Sequence, residues 1–303
     1  MRIIVLGAGA GGGVPQWNAN NRISSAAFRG SPAVPRLTQC SLAVSVDGER
    51  WAIFNASPDM RQQIINTKAL HPNEPALRAS PLSAVVLTGA DVDAIAGLLT
   101  LRERQALSLF ASSYVLGVLA QNPIFGVLNP NHVQRIAIEP GKPFEPLSGL
   151  VVTPFEVPGK PPLFAETQEG FAVNAAGGKA LGLLFSTTDG PAKAAFIPGC
   201  GDVTADLLAR LQDVALLFFD GTLFRDDELL KSGEGEKTGR RMGHMPMTGP
   251  GGSVDAFRDL RSVDKYFIHI NNTNPALMRG SFERRELEAA GWRIAEDGME
   301  FTL

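Results

Sequence analysis

The sequence predicts an α/β fold in which two packed β-sheets lie between helices. Predicted strands come in runs, with helices between only some of them, and this order suits two packed sheets better than one doubly wound sheet. Two acids, Asp91 and Asp93, follow a buried strand closely, at the strand end where α/β proteins place their chemistry. Of the 303 residues, 44% are hydrophobic, which is ample for a core, and we expect one domain over residues 1–303.

The first part of the chain is predicted to alternate between strands and helices. The Asp47-Gly48 pair between two apolar runs is typical of a hairpin, and Ser57 and Pro58 suit the start of a helix. Residues 15–36 lack periodicity, which favours a long loop over the surface or over a site. The predicted strands are Arg2–Leu6, Ser41–Ser45, Trp51–Asn55, Ser83–Leu87 and Leu107–Ala111, and the predicted helices are Asp59–Asn66, Ile95–Gln105 and Tyr114–Ala120.

The second part of the chain is richer in apolar strands and ends in a turn signal. The Asp297-Gly298 pair predicts a closing hairpin between Trp292–Ile294 and Glu300–Leu303. The charged, glycine-rich segment Asp226–Pro250 is a long loop, and such loops are usually functional or mobile. The other predicted strands are Val151–Val157, Ala180–Thr187, Lys193–Ile197, Val214–Asp220 and Tyr266–Ile270, and the helices are Ser253–Leu260 and Ser281–Ala290.

Composition excludes several classes of protein. With 28 basic and 31 acidic residues the net charge is −3, which does not indicate a nucleic-acid or anionic-membrane partner. The two cysteines, Cys40 and Cys200, exclude a disulfide framework and favour the cytoplasm. No stretch reaches the length of a membrane helix, and the short apolar start is expected to be a strand and not a signal peptide.

The glycine-rich run Gly7–Gly13 satisfies the GxGxxG pattern of dinucleotide-binding proteins. A dinucleotide site needs a helix that opens at the third glycine, but Pro15 and Trp17 follow instead, and no acid occurs before Asp47. We therefore expect a tight turn at which the backbone passes close to a neighbouring element.

Asp91, Asp93 and His269 are the candidate metal ligands. The two acids could simply cap a helix near Ile95, but one acid suffices for a cap, and a second beside it is repelled unless a cation lies between them. His269 ends an apolar strand before a polar turn, which suits a ligand, although a hydrogen bond to the turn is the alternative. A mixed histidine and carboxylate site suits non-haem Fe(II), while zinc and manganese stay open.

Several segments together resemble the family of pyrroloquinoline quinone (PQQ) biosynthesis protein B, in the same order and over essentially the whole chain. The turn from Gly89 through Asp91 and Asp93 to Ala94 also resembles the HxHxDHxxG metal-binding turn of the metallo-β-lactamase superfamily, with most histidines replaced. The matching segments are residues 11–18 (GGGVPQWN), 55–59 (NASPD), 97–99 (GLL), 220–222 (DGT), 242–246 (MGHMP) and 269–275 (HINNTNP).

The resemblance implies a metallo-β-lactamase-like αββα sandwich, with two mixed sheets packed between helices, in a cytoplasmic protein. It implies an iron-dependent, O2-using hydroxylase that acts on the tyrosine ring of a glutamate–tyrosine precursor derived from a small peptide. A non-catalytic carrier of PQQ or its precursor and a metal-dependent hydrolase are the alternatives. The expected partners are this precursor and O2, without nucleic acid or membrane, and a homodimer is allowed.

The positions that match the family, together with the charges of their side chains, indicate the site residues. The metal ligands are expected to be Asp93, His269 and Asp91, with Fe(II) as the cofactor. His244 could be a ligand, a general acid or base, or a solvated loop residue, and we assign it with Asp91 to catalysis. Substrate binding is assigned to Arg61, Asn271, Asn272 and Asp220. Arg61, or Arg240 and Arg241, could hold substrate carboxylates, and ordinary surface solvation is the alternative for all three arginines.

Two departures from the family pattern change the expected metal content. Many members have cysteines after the Trp17-Asn18 pair that hold a structural zinc, but Ala19, Asn21 and Ser24 stand here, so this zinc is expected to be absent. Gly89 and Ala94 stand where histidines are common, which predicts a primary site with few ligands.

Overall fold

The computed structural model describes residues 1–73, 76–162, 164 and 178–303. Within them the strands are β1 Arg2–Gly7, β2 Ser41–Ser45, β3 Trp51–Phe54, β4 Leu82–Val86, β5 Leu107–Ser112, β6 Val133–Ile138, β7 Phe144–Leu147, β8 Leu150–Glu156, β9 Leu181–Thr187, β10 Gly190–Ile197, β11 Leu216–Asp220, β12 Asp264–Ile268, β13 Trp292–Ile294 and β14 Glu300–Thr302. The α-helices are α1 Arg22–Phe28, α2 Met60–Asn66, α3 Val92–Ile95, α4 Ser113–Gln121, α5 Ala205–Arg210, α6 Glu228–Ser232, α7 Ser253–Ala256 and α8 Phe282–Ala289.

The strands form two seven-stranded mixed sheets, as the predicted fold class requires. The first sheet has the order β14-β1-β2-β3-β4-β5-β6, and the second has the order β13-β12-β11-β10-β9-β8-β7. In the first sheet β3 to β6 run parallel, and in the second β10 to β13 do. The remaining neighbours in both sheets pair antiparallel.

The two faces of the first sheet are buried in different cores because side chains alternate along a strand. In β1, Ile3 and Val5 belong to the core between the sheets, whereas Ile4 and Leu6 belong to the core beneath α2 and α4. Phe54 of β3 meets Phe185 of β9 with ring centroids 4.6 Å apart, which joins the two sheets directly. Burial on both faces explains why these strands read as continuous apolar runs.

The parallel strands bring several loops to one edge of the sandwich. The loop after β4 carries Asp91 and Asp93, the loop after β11 carries Thr222, and His269 follows β12. Gly9 bridges both Gln39 and Ile270, so the glycine-rich turn runs beside the β12 loop. The site described below lies at this edge, where open α/β sheets generally bind ligands.

The glycine-rich turn is a close backbone approach, as predicted. A Cβ on Gly7 would lie 2.2 Å from the carbonyl oxygen of Gln39. Gly13 adopts a positive φ of 68°, and a Cβ added to it would lie 2.8 Å from the carbonyl oxygen of Leu37. No side chain fits at either position, so glycine is required by the neighbouring backbone.

Most predicted elements are present, but the predicted closing hairpin is wrong. β2 and β3 pair antiparallel around the Asp47-Gly48 turn, as expected. β13, however, pairs parallel with β12 in the second sheet, whereas β14 pairs antiparallel with β1 in the first sheet. The Asp297-Gly298 turn therefore carries the chain from one sheet to the other. A turn signal reports a change of direction and cannot report which sheet receives the next strand.

Other differences concern helices and short strands. The predicted irregular stretch 15–36 contains α1, whose N-terminus is capped by the Asn21 side chain accepting from the Ser24 N–H at 2.8 Å. β6 and β7 were not predicted. The expected helix Ile95–Gln105 begins earlier, as α3, and continues as the 3₁₀ helix Ala96–Leu101, in which Gly97 packs against the backbone of Ser57.

Gly97 provides a sharp stability test, with Gly117 in α4 as its control. A Cβ on Gly97 would lie 2.0 Å from the Ser57 carbonyl oxygen, whereas a Cβ on Gly117 meets nothing within 4 Å. We expect Gly97→Ala to lower the free energy of unfolding by about 3 kcal/mol, and Gly117→Ala to raise it by about 0.5–1 kcal/mol. Urea unfolding measures both, and equal effects of the two substitutions would contradict the packing described.

Asp297 ties the last turn to the glycine-rich turn and to Thr38. Its Oδ1 accepts from the Ala8 N–H at 3.0 Å, and its Oδ2 accepts from the Thr38 N–H at 2.8 Å. The Thr38 hydroxyl lies 2.7 Å from Oδ2 and 3.0 Å from the Leu6 carbonyl oxygen. Burial raises the pKa of Asp297 to about 7, against the opposing effect of these hydrogen bonds.

This raised pKa makes the stability pH-dependent. The folded chain retains the Asp297 proton between pH 3.8 and about 7, where the unfolded chain loses it, so stability falls as the pH rises through that window. We expect Asp297 to contribute at most about 4 kcal/mol to this fall. Urea unfolding at pH 4 to 7.5 checks it: relative to the unchanged chain, Asp297→Asn should be least stable at pH 4, and a difference independent of pH would contradict the assignment.

Among the described residues, no helix combines the length and the apolar composition needed to cross a bilayer.

Candidate metal and substrate site

A cavity of about 280 Å³ opens at the edge where the strand-end loops meet. Asp91 and Asp93 line it from the β4 loop, Thr222 from the β11 loop, and His269 and Asn271 from the β12 loop. Segment 226–250, which the sequence predicts to be a loop, contains α6 and contributes Leu229 of that helix together with Met242, Gly243 and His244 to the lining. Its volume is near the lower end of the range for small-molecule sites.

Asp93 and His269 meet, as the sequence predicts for two ligands of one ion. The His269 Nε2 atom lies 2.9 Å from Asp93 Oδ2, although the residues are 176 positions apart. Asp93 sits in the first turn of α3, and His269 follows β12 with a positive φ of 61°. A non-glycine residue in this left-handed region is uncommon and often marks a functional position.

Asp220 and Thr222 contact the Nδ1 atoms of the two histidines and so fix the orientation of both rings. Asp220 is fully buried, and its Oδ2 lies 2.7 Å from His244 Nδ1, while its Oδ1 lies 2.7 Å from the Thr222 hydroxyl. The same hydroxyl lies 2.8 Å from His269 Nδ1. We infer that the hydroxyl proton goes to the carboxylate and that each Nδ1 carries its own proton. The Nε2 atom of His244 is then able to bind a metal or move a proton. The Nε2 atom of His269 donates to Asp93 and would give up its proton to bind a metal ion.

The pKa directions follow from these contacts. Burial disfavours the carboxylate of Asp93, but the hydrogen bond and positive charge of His269 outweigh it and hold the pKa of Asp93 below its ordinary value. Burial likewise disfavours the Asp220 carboxylate, and His244 outweighs it to lower that pKa. Burial lowers the pKa of His269, yet Asp93 overcomes this and raises it.

The residues present fit a metal ion. The ligand atoms of Asp220, His244 and His269 all lie within 4.8 Å of one another, and Asp93 contacts His269. Burial raises the pKa of Asp91, and the charge of Asp93 raises it further, so the two acids repel each other in the absence of a cation. Imidazole and carboxylate donors of this kind hold iron, zinc or manganese. Asp91, Asp93, His244 and His269 are therefore the residues that line the cavity and could hold the ion, and Asp220 is hydrogen-bonded to His244 outside that lining.

The structure separates the predicted substrate-binding residues. Asn271 lines the cavity. Asp220 does not, because its oxygens are used by His244, Thr222 and the Cys200 N–H, so its role is positioning and the prediction of a substrate contact is corrected. Arg61 is exposed on α2 and is not among the lining residues, so its predicted substrate contact is not supported either.

Asn272 is also drawn away from the cavity, into a polar network around α1. Its Oδ1 accepts from Asn21 Nδ2 at 2.8 Å and from the Ser24 hydroxyl at 3.2 Å, and its Nδ2 donates to Gln16 Oε1 at 2.6 Å. Asn21 and Ser24 are two of the positions at which the family pattern has cysteines. Hydrogen bonds here attach α1 to the β12 loop, and Asn272 is not among the residues that line the cavity, so its predicted substrate contact is not supported.

The cavity is also lined by residues that the sequence did not assign to the site, among them Thr222, Cys40, Lys160 and Lys179. Thr222 lies in a matching segment, so its hydroxyl beside Asp220 was a usable signal. The lysines lie outside every matched motif, and only the fold reveals them. Of the two cysteines, Cys40 reaches the cavity, and burial raises the pKa of both thiols, that of Cys200 to about 12.

Comparison with known proteins places this geometry in a family. Residues 50–270 match the family model described as the beta-lactamase superfamily domain. The coenzyme PQQ synthesis protein B of Xanthomonas euvesicatoria pv. vesicatoria is 51% identical over 303 residues, covering 100% of both chains. That of Gluconacetobacter diazotrophicus is 49% identical, with 99% of both chains covered.

Solved structures agree with the sequence relatives. The crystal structure of Zn²⁺-bound PqqB from Methylobacterium extorquens is 45% identical, covers 100% of both chains and superposes with a TM-score of 0.96. A diphosphatase of the PhnP family, 20% identical with a TM-score of 0.69 over 100% of this chain and 97% of its own, shares the fold alone. The chain belongs to the family of coenzyme PQQ synthesis protein B, within the beta-lactamase superfamily.

Proposed function

We propose that this chain acts in PQQ synthesis as an iron-dependent, O2-using hydroxylase of the tyrosine ring of a glutamate–tyrosine precursor. Family membership supports the pathway, and the superfamily fold supports a metal-dependent enzyme. A cytoplasmic location and a homodimer stay predictions. The family relative from Methylobacterium extorquens was crystallised with zinc, so the choice of iron rests on the donor set of this chain.

One observation supports a redox metal most strongly: histidines and carboxylates share one wall of the cavity. Asp93 and His269 are in contact, and Asp220, His244 and His269 form a tight group beside them. Gly89 and Ala94 occupy positions where hydrolases of the superfamily have histidines, so a fuller histidine set is absent from this loop. Mixed imidazole and carboxylate ligation with open positions suits Fe(II), which when bound would supply the redox chemistry for O2.

The remaining side chains have roles that do not depend on the identity of the ion. The hydrogen bond to Asp220 holds the His244 ring by Nδ1, so Nε2 can take or return a proton of the phenol. Asn271 offers an amide at the cavity wall. We assign Leu229 and Met242, which give the cavity an apolar lining, to contact with the aromatic ring.

Oxygen uptake tests the proposal. Each hydroxyl group added consumes one O2 and two electrons and releases one water, so a reductant such as ascorbate must be supplied with the tyrosine-derived substrate. We expect uptake and a product heavier by one oxygen atom with the Fe(II)-loaded protein, and neither with the Zn²⁺-loaded protein.

Two further measurements, of quinone binding and of ester or lactam cleavage, would identify the other functions. Tight binding of the quinone without O2 uptake under any metal would favour a carrier and overturn the hydroxylase. Rapid cleavage of chromogenic esters or lactams by the Zn²⁺-loaded protein, without hydroxylation, would favour a hydrolase.

A further inference from the structure

Side chains of both charges line the cavity, two aspartates and two lysines. Its acidic wall carries Asp91 and Asp93. Among the described residues that line it, Lys160 and Lys179 are the only side chains with a full positive charge at neutral pH, histidines aside. The arginines considered from the sequence are elsewhere: Arg61 is exposed on α2, and Arg240 donates to the Gly251 carbonyl oxygen at 2.8 Å.

Lys160 is held by its backbone and by its side-chain stem. Gly159, just before it, packs on Ala180, where an added Cβ would come within 2.5 Å of the Ala180 Cβ. Gly243 packs on the stem, since a Cβ there would lie 2.9 Å from Lys160 Cγ. Lys160 therefore lines the cavity in contact with Gly243, the residue just before His244.

Lys179 is held on the adjoining segment. The Gly178 N–H donates to Glu156 Oε1 at 2.9 Å, and the Gly178 carbonyl oxygen accepts from the Ser112 hydroxyl at 2.5 Å. The Lys179 ammonium lies 5.8 Å from the centre of the Tyr114 ring. Ala180 bridges Gly89, so this segment is attached to the loop that carries the two acids.

We propose that Lys160 and Lys179 bind carboxylate groups of the substrate and so hold its aromatic ring against the wall formed by Asp93, His244 and His269. This inference rests on the proposed place of the chain in PQQ synthesis, because a molecule built from glutamate and tyrosine carries several carboxylates. An acidic wall repels such a molecule, and cations that offset this repulsion fix the orientation in which it enters. The lysines are positioning residues, since they act on the carboxylates and not on the reacting ring.

Equilibrium binding of PQQ, a tricarboxylate, tests the proposal without turnover. The Zn²⁺-loaded chain is titrated with PQQ and, in parallel, with PQQ trimethyl ester, which has the same ring system without the charges. Lys160→Met and Lys179→Met keep the apolar stems, and Lys142→Met, at an exposed lysine paired with Glu139, is the matched control. We expect each cavity substitution to raise the Kd for PQQ about tenfold and the double substitution about 100-fold.

The ester and the conservative variants separate charge from folding. Binding of the ester should change less than about twofold in every variant, and Lys160→Arg and Lys179→Arg should keep most of the affinity for PQQ. Zinc content and the unfolding midpoint are measured on each protein. The proposal is overturned if PQQ does not bind the unchanged chain, if the double substitution leaves its Kd within twofold, or if ester binding weakens equally.

Failure of the proposed function is distinguishable from failure of this inference. Lysine-dependent binding of PQQ without any O2 uptake would refute the hydroxylase and leave the carboxylate subsite intact. O2 uptake with unchanged affinity in the lysine variants would refute the subsite and leave the hydroxylase intact.

Discussion

Replacement of His269 by alanine is expected to weaken metal binding by more than about 100-fold and to abolish metal-dependent activity. Loss of a partner behind a ligand usually costs 10- to 100-fold in affinity, and loss of the ligand itself costs more. His269 contacts Asp93 through Nε2 and Thr222 through Nδ1, so no other described side chain joins the two halves of the site in this way. Elemental analysis and competition with a chelator measure the loss.

Two variants control this experiment. His132→Ala, in the turn before β6 and far from the cavity lining, should retain full metal content. Asp93→Asn keeps the volume of the side chain and should reproduce the loss of affinity, because it removes the negative charge that a cation requires. Full metal content in both His269→Ala and Asp93→Asn would show that the ion binds elsewhere, and the oxygenase proposal would then fail.

Thr222→Val is expected to weaken metal binding by about 10- to 100-fold, although Thr222 is proposed only as a positioning residue. The substitution keeps the shape of the side chain and removes the hydroxyl between Asp220 Oδ1 and His269 Nδ1. Without it, His269 loses the contact that fixes the proton on Nδ1, and its Nε2 is no longer held ready for the ion. The unpaired polar groups should also lower the free energy of unfolding by about 1–3 kcal/mol.

Thr222→Ser is the matched control because it restores the hydroxyl without the methyl group. We expect it to recover most of the metal affinity, measured by chelator competition, while losing some packing. A structural role alone would make stability and affinity change together across Val and Ser. Equal metal affinity in Thr222→Val and the unchanged chain would therefore refute the role of this hydroxyl.

The contact between Asp93 and His269 joins two residues that local sequence patterns indicate separately. Each residue was identified from its place after an apolar strand, and the two strands lie in different sheets. Their proximity could be anticipated because strand ends can be recognised in the sequence and because the fold class places those ends together, while their role as metal ligands stays a prediction. The same reasoning assigned Asp220 to substrate, and there it failed. An acid at a strand end can face the cavity or the interior, and only its hydrogen bonds to His244 and Thr222 decide between them.

The sequence by itself determined the class of fold, the family and the two central candidate ligands, because apolar alternation, turn residues and short motifs are local properties of the chain. Only the tertiary structure decided that β13 and β14 join different sheets, that Asn272 holds α1, and that Lys160 and Lys179 enter the cavity. These outcomes depend on contacts between segments far apart in the chain. A lone lysine or a hydroxyl has no periodicity to reveal its neighbours, so its role follows only once the strands have brought those neighbours within hydrogen-bond or charge distance.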